Sequence, residues 1–90
     1  MYRLSIITPS GKVFEEEIDS LQLPGVEGSF GVLKNHIPIV TLLKKGLVTI
    51  KQQNQSKYFS INSGILEVNA KTDVLLLADE AVETSVPNIN

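Results

Sequence analysis

The sequence predicts an all-β domain, a sandwich or small barrel of short strands. Val, Ile and Thr number 23 of the 90 residues, whereas Ala numbers three. β-Branched side chains pack well on a pleated surface and lose rotamer freedom in a helix. Apolar and polar residues alternate over short stretches, and turn-forming residues recur about every ten residues, which is typical of sandwiches and barrels. Ninety residues suffice for one domain with one modest core.

Alternation defines the strands in order along the chain. Six sets of apolar residues alternate with polar ones and are predicted to point inward: Tyr2, Leu4 and Ile6; Phe14 and Ile18; Leu21 and Leu23; Val48 and Ile50; Phe59 and Ile61; Leu66 and Val68. The turns predicted between or beside them lie at 9–11, 24–25, 54–56, 63–64 and 69–71.

Three segments need separate interpretation. Residues 37–43 have some helical character, but Pro38 and two β-branched residues favour an extended strand. The continuous apolar run 74–78 indicates a strand covered on both sides. Residues 79–90 are acidic, then polar, and are expected to be a frayed tail.

Composition argues against several classes of protein. The chain has no cysteine, so disulfides and thiolate metal sites are excluded. Its formal net charge is −2 and its one adjacent basic pair is Lys44–Lys45, so nucleic acid is not an expected partner. The sequence has neither an apolar run of the ~18–20 residues that span a bilayer nor a signal-peptide pattern at its start.

The stretch 24–38 is the most unusual part of the sequence. It holds Gly25, Gly28 and Gly31, two prolines and the single histidine. The glycine spacing is neither that of the dinucleotide fingerprint nor that of the phosphate-binding loop, and no helix follows it. Positive φ or close backbone approach is therefore the predicted role of the three glycines.

Residues that suggest catalysis lack partners. His36 has no second histidine or cysteine beside which to bind a metal, and no nucleophile in a recognised arrangement. It is interpreted as a packed loop residue or an interface residue. The acidic run 15–17 suggests glycosidase carboxylates, but the chain has no Trp, and an acidic edge strand explains it better. The sequence predicts no active site, no metal site and no cofactor.

Ordered motifs along about eighty residues resemble a known family. They are residues 7–14, 23–33, 36–38, 41–46, 63–68 and 74–79. They resemble the epsilon subunit of the F-type (rotary) ATP synthase. The resemblance implies a flattened β-sandwich of about ten short strands. We expect this domain to cover residues 1–82, with a polar C-terminal tail at 83–90 in place of the family's C-terminal helical hairpin.

The resemblance also implies a function. Such a protein is a non-catalytic rotor subunit of the central stalk, joins the gamma subunit to the c-ring and helps couple proton flow to ATP synthesis. It reaches the cytoplasmic face of the bacterial inner membrane, or an organellar equivalent, through the complex. The resemblance places two sets of residues at partner interfaces. The set toward the c-ring is Glu27, Gly28, Ser29 and Phe30. The set toward gamma and the stalk base is His36, Thr41 and Thr8. Many family members have an acid where this chain has Ser29.

Two other functions remain open from the residues alone. One is a free-standing β-sandwich binding module, for example for carbohydrate or peptide, and the other is a small hydrolase using the acidic strand. The scarcity of aromatic residues and the lack of groove-placed acid pairs count against both. A stalk subunit is expected to expose an apolar surface patch larger than monomeric proteins usually do.

Overall fold

The computed structural model describes residues 1–32, 38–71 and 73–84, and every regular element in them is a β-strand. The strands are β1 Tyr2–Thr8, β2 Gly11–Ile18, β3 Ser20–Gly25, β4 Gly28–Val32, β5 Ile39–Leu43, β6 Gly46–Gln52, β7 Gln55–Ile61, β8 Gly64–Val68, β9 Val74–Ala78 and β10 Val82–Thr84. The predicted all-β fold of about ten short strands is confirmed.

The strands form one sheet that curls into two layers. Along the sheet the order is β10-β7-β6-β3-β5-β8-β9-β1-β2, and β4 pairs with β3. The β1–β9 pair is parallel, and the other pairs are antiparallel. The layers join where Gly25 of β3 pairs with Leu43 of β5. One layer therefore holds β3, β4, β6, β7 and β10, and the other holds β5, β8, β9, β1 and β2.

The core lies between the two layers. Every residue that alternation predicted to point inward is buried, and these residues belong to one hydrophobic cluster. Phe14 of β2 packs edge-to-face on Phe59 of β7, with ring centroids 5.8 Å apart, an arrangement that adds to the apolar contact. The period-two pattern therefore identified the core correctly.

Two details of the strands differ from prediction. The β6–β7 turn lies at Gln53 and Asn54, one residue earlier than predicted, and both have positive φ (51° and 67°). Positive φ at both central residues is the geometry of two-residue hairpins. Gln rarely adopts positive φ, so the sequence did not indicate that the turn begins at Gln53.

The end of the chain also differs. Val82–Thr84 forms β10 and pairs with Tyr58, Phe59 and Ser60 of β7, so the prediction of a frayed tail from residue 79 is wrong for these three residues. Backbone pairing to the free edge of β7 supplies the order that their composition did not predict. The domain boundary at residue 82 stays a prediction, and residues 85–90 lie outside the described ranges.

Candidate interaction surface

The β3–β4 hairpin carries the glycine-rich motif, and its tip is Val26–Glu27 between the paired residues Gly25 and Gly28. Gly28 has φ +128°, which side-chain-bearing residues rarely adopt. A Cβ on Gly25 would lie 2.6 Å from the Gly28 carbonyl oxygen. These two glycines have the predicted roles. Gly31 has neither, since a Cβ there would make an ordinary contact at 3.5 Å.

Strand β5 and Tyr2 hold this hairpin in place. The Val26 amide donates to the Leu42 carbonyl at 3.2 Å, and the Lys44 amide donates to the Pro24 carbonyl at 2.8 Å. At the other end of the hairpin the buried Tyr2 hydroxyl donates to the Val32 carbonyl. Burial raises the pKa of Tyr2 well above its ordinary value, so the hydroxyl stays protonated and remains a donor.

A groove of about 610 Å³ lies between the hairpin tip and β5. Its lining residues are Gly25, Val26, Glu27, Gly28, Ser29, Phe30, Ile39, Val40, Thr41 and Leu42. Glu27 supplies its one carboxylate, Ser29 and Thr41 supply hydroxyls, and most other side chains are apolar. A surface of this chemistry suits contact with another protein, because it offers apolar area and few reactive groups.

An aliphatic row continues from this groove across the outer face of the β5-β8-β9-β1 layer. It consists of Leu42, Ile65, Leu77 and Ile7, which are paired in register from strand to strand. Leu42 is 59%, Ile65 42% and Leu77 44% exposed, and Ile7 is half-buried. Three inter-strand steps make the row about 14 Å long. Val40, 70% exposed, extends it toward the hairpin.

The outer face of the other layer is more polar. One register row there runs through Gln22, Thr49, Tyr58 and Thr84. Of the eight exposed large hydrophobic residues in the described ranges, four (Val40, Leu42, Ile65 and Leu77) lie together on the β5-β8-β9-β1 face, so a partner that covers apolar surface would bind that side.

The row corrects the prediction for the run 74–78. That run was predicted to be covered on both sides, but Leu77 is exposed and Leu75 is only half-buried. A continuous apolar run predicts that both faces of a strand are covered, but the outer face of β9 is open to solvent. The exposure of Val40, Leu42 and Ile65 was likewise not predicted; for β5 the signal in the sequence was a mostly apolar strand, interrupted by Thr41.

The predicted interface residues separate into groups. Glu27, Gly28, Ser29, Phe30 and Thr41 line the same groove. Thr8 lies on β1, three strands from β5 in the sheet, where its hydroxyl accepts a hydrogen bond from the Ser10 amide in the β1–β2 turn. His36 falls outside the described residues.

One carboxylate of the acidic run on β2 is held by neighbouring cations. Glu15 is held by Lys12, which donates a hydrogen bond at 2.5 Å, and by Arg3 at 3.5 Å. The hydrogen bond from Lys12, reinforced by Arg3, lowers the pKa of Glu15, so it stays an ionised surface carboxylate. Within the described ranges no group of His, Cys, Asp and Glu is arranged to hold a metal ion. The same ranges contain no helix with the length and apolarity needed to cross a bilayer.

Comparison with known proteins identifies the family. The family described as ATP synthase, delta/epsilon chain, beta-sandwich domain matches residues 1–84. The chain is 45% identical over 82 residues to an ATP synthase epsilon chain of Helicobacter pylori and spans 66% of that relative's length. It is 41% identical over 81 residues to an ATP synthase epsilon chain of Caulobacter vibrioides and spans 93% of that relative. Relatives of quite different length thus share this domain.

Solved structures share the fold. A chain of the Euglena gracilis mitochondrial ATP synthase (OSCP, F1 and c-ring) superposes with a TM-score of 0.86 at 23% identity, covering 91% of this chain and 52% of that one. A chain of the Tetrahymena thermophila mitochondrial ATP synthase central stalk and c-ring gives 0.79 at 15% identity, covering 89% and 64%. At these identities the likeness concerns the fold alone. The family match and the bacterial relatives carry the assignment: the chain belongs to the ATP synthase delta/epsilon chain β-sandwich family.

Proposed function

We propose that this chain is a non-catalytic rotor subunit of the proton-translocating F-type ATP synthase. It joins the gamma subunit to the c-ring in the central stalk and helps couple proton flow to ATP synthesis. It lies at the cytoplasmic face of the bacterial inner membrane and touches the membrane only through the complex. The names of the bacterial relatives support this role, and the Caulobacter relative is little longer than the aligned domain.

The observation that carries the proposal is the exposed aliphatic row beside the groove. Complete burial of a Leu or Ile side chain is favourable by about 1.5–3 kcal/mol. The exposed area of Leu42, Ile65 and Leu77 adds up to that of nearly one and a half fully exposed residues. Covering them contributes about 2–4 kcal/mol before the costs of association. A subunit of a complex buries such a surface against its partner, and this burial contributes to the free energy of assembly.

The partner positions carried over from the family resemblance lie in two places relative to the row. Thr8 follows Ile7 and Thr41 precedes Leu42, so the two positions assigned to the gamma side adjoin the ends of the row along the chain, with their side chains directed to the opposite face of the strand. Glu27 and Ser29, assigned to the c-ring side, lie at the exposed hairpin. The proposed arrangement has gamma on the aliphatic row and the c-ring loops at the hairpin tip. Glu27 contributes little affinity there, since an exposed ion pair is typically worth ~0–1 kcal/mol.

Two matched substitutions test the proposal. Leu42 on the row and Val82 on the opposite layer are equally exposed, at 59% and 57%. Leu42→Asp and Val82→Asp therefore introduce the same charge at positions of nearly equal exposure. Binding to purified gamma subunit is measured by calorimetry, with thermal unfolding as the control for the fold.

Leu42→Asp is expected to weaken gamma binding by about tenfold or more, since it removes about 1–2 kcal/mol of apolar burial and adds a desolvated carboxylate. Val82→Asp is expected to leave binding unchanged. Equal effects of the two variants would remove the row from the interface. Failure of the unaltered chain to bind gamma at micromolar concentration would overturn the stalk role and favour a free-standing binding module.

A further inference from the structure

The aliphatic row has an acidic margin along one side. Directly beside it on the same face runs the register row Val40, Glu67, Leu75 and Ser5. Glu67 is exposed, and its two cross-strand neighbours, Val40 and Leu75, are both apolar. A shallow depression of about 250 Å³ continues from there, lined in part by Ser5, Glu67, Asn69 and Asp73.

Within the described ranges, salt bridges occur at the β2 end of this face, where Glu15 pairs in register with Ser5. Ion pairs there form around Glu15, which Arg3 and Lys12 neutralise from two sides. Glu67 and Asp73 take part in neither pair. Lys71 lies in the turn that precedes Asp73, and its backbone amide donates a hydrogen bond to the Asn69 side-chain oxygen. The apolar surface is thus bordered by two carboxylates with no ion-pair partner among those residues.

From this arrangement we infer that the segment of the stalk partner covering the row carries Lys or Arg side chains along the margin that meets Glu67. The inference rests on the proposed function and specifies the chemistry of the gamma surface. A purely apolar partner would leave the Glu67 carboxylate partly desolvated with no compensating charge, which is unfavourable. A basic partner residue gains a charge-assisted hydrogen bond and sets the direction in which the partner lies across the row.

Three variants at matched positions test this inference with purified gamma subunit as the probe. Glu67→Gln removes the charge and keeps the shape, and Glu67→Lys reverses the charge. Glu83→Lys makes the same change in net charge on β10, in the opposite layer, and serves as control. Dissociation constants are measured at about 0.05 M and about 0.5 M salt, where screening differs strongly. Thermal unfolding checks that each variant is folded.

The expected result has three parts. Glu67→Gln weakens binding about 2–5-fold at low salt, and Glu67→Lys weakens it more than about tenfold, because a like charge then meets the basic margin. Both differences shrink at high salt, and the salt dependence of the Glu67→Gln complex is smaller than that of the unaltered chain. Glu83→Lys binds as the unaltered chain does.

Failure of this inference is distinguishable from failure of the stalk role. If both Glu67 variants bind gamma normally at low salt while Leu42→Asp weakens binding, the basic margin is refuted and the stalk role stands. If Glu67→Lys and Glu83→Lys weaken binding equally, the effect is one of net charge and the inference is also refuted. If the unaltered chain does not bind gamma, both proposals fall together.

Discussion

Replacing Tyr2 with Phe removes one buried hydrogen bond that ties β1 to the end of the β3–β4 hairpin. Tyr2 is 5% exposed and Val32 is fully buried, so water does not replace the lost hydroxyl. Leaving the Val32 carbonyl without this donor costs about 1–3 kcal/mol. For a domain of this size each kcal/mol lowers Tm by about 4–8 °C. Tyr2→Phe is therefore expected to lower Tm by about 4–24 °C.

The second tyrosine provides a matched control. Tyr58 lies half-buried on the outer face of β7, and its hydroxyl makes no hydrogen bond to the described residues. Tyr58→Phe removes the same atom and is expected to change stability by less than about 0.5 kcal/mol. Thermal and urea unfolding of the two variants and the unaltered chain provide the comparison. Equal Tm values for both variants would refute the role assigned to the Tyr2 bond.

The Tyr2 hydrogen bond is also expected to make the stability of the domain depend on pH in the alkaline range. Burial raises the pKa of Tyr2 in the folded state above the ordinary value of 10. A raised folded pKa means that the stabilisation is complete below pH 10 and declines as pH rises above it, because the unfolded chain loses the proton first. The difference in free energy of unfolding between the unaltered chain and Tyr2→Phe should therefore shrink above about pH 10. A difference that grows with pH would contradict this assignment.

Two further predictions concern turns. The Asp79 carboxylate accepts hydrogen bonds from the amides of Ser63 and Glu80; desolvation opposes the effect, but these donors hold its pKa below the ordinary value. Asp79→Asn should therefore lower Tm at neutral pH, and the difference should begin to shrink as pH falls below about 4, toward the lowered pKa of the folded state; a difference independent of pH would exclude this mechanism. Replacing Gln53 and Asn54 with Asn and Gly suits the positive φ of both positions. This double substitution should stabilise the domain by about 0.5–1 kcal/mol in urea unfolding, and a loss of stability would argue against the turn geometry.

Much of the fold could be predicted because strand periodicity is a local property. Side chains two residues apart share a face, so Leu4 and Ile6, or Leu66 and Val68, were assigned to the core from their own neighbourhood alone. Gly25 and Gly28 were recognised for a similar reason, since a tight turn needs residues without a Cβ. The family resemblance added the expected strand number and the candidate partners.

The candidate site was harder to predict. The groove exists because the Val26 amide donates a hydrogen bond to the carbonyl of Leu42, which lies sixteen positions later in the chain. The aliphatic row exists because β5 and β1, which are distant in the chain, lie on either side of the consecutive strands β8 and β9. Burial of an apolar strand depends on what lies over its second face, and no local pattern reports that.

By itself, the sequence determined that this chain folds as strands, which side chains point inward and where the backbone needs glycine, because each of these depends on residues a few positions apart. The tertiary structure alone decided that Leu42, Ile65, Leu77 and Ile7 form one exposed row with Glu67 beside it. Register between distant strands sets that arrangement, and register is a property of the assembled sheet.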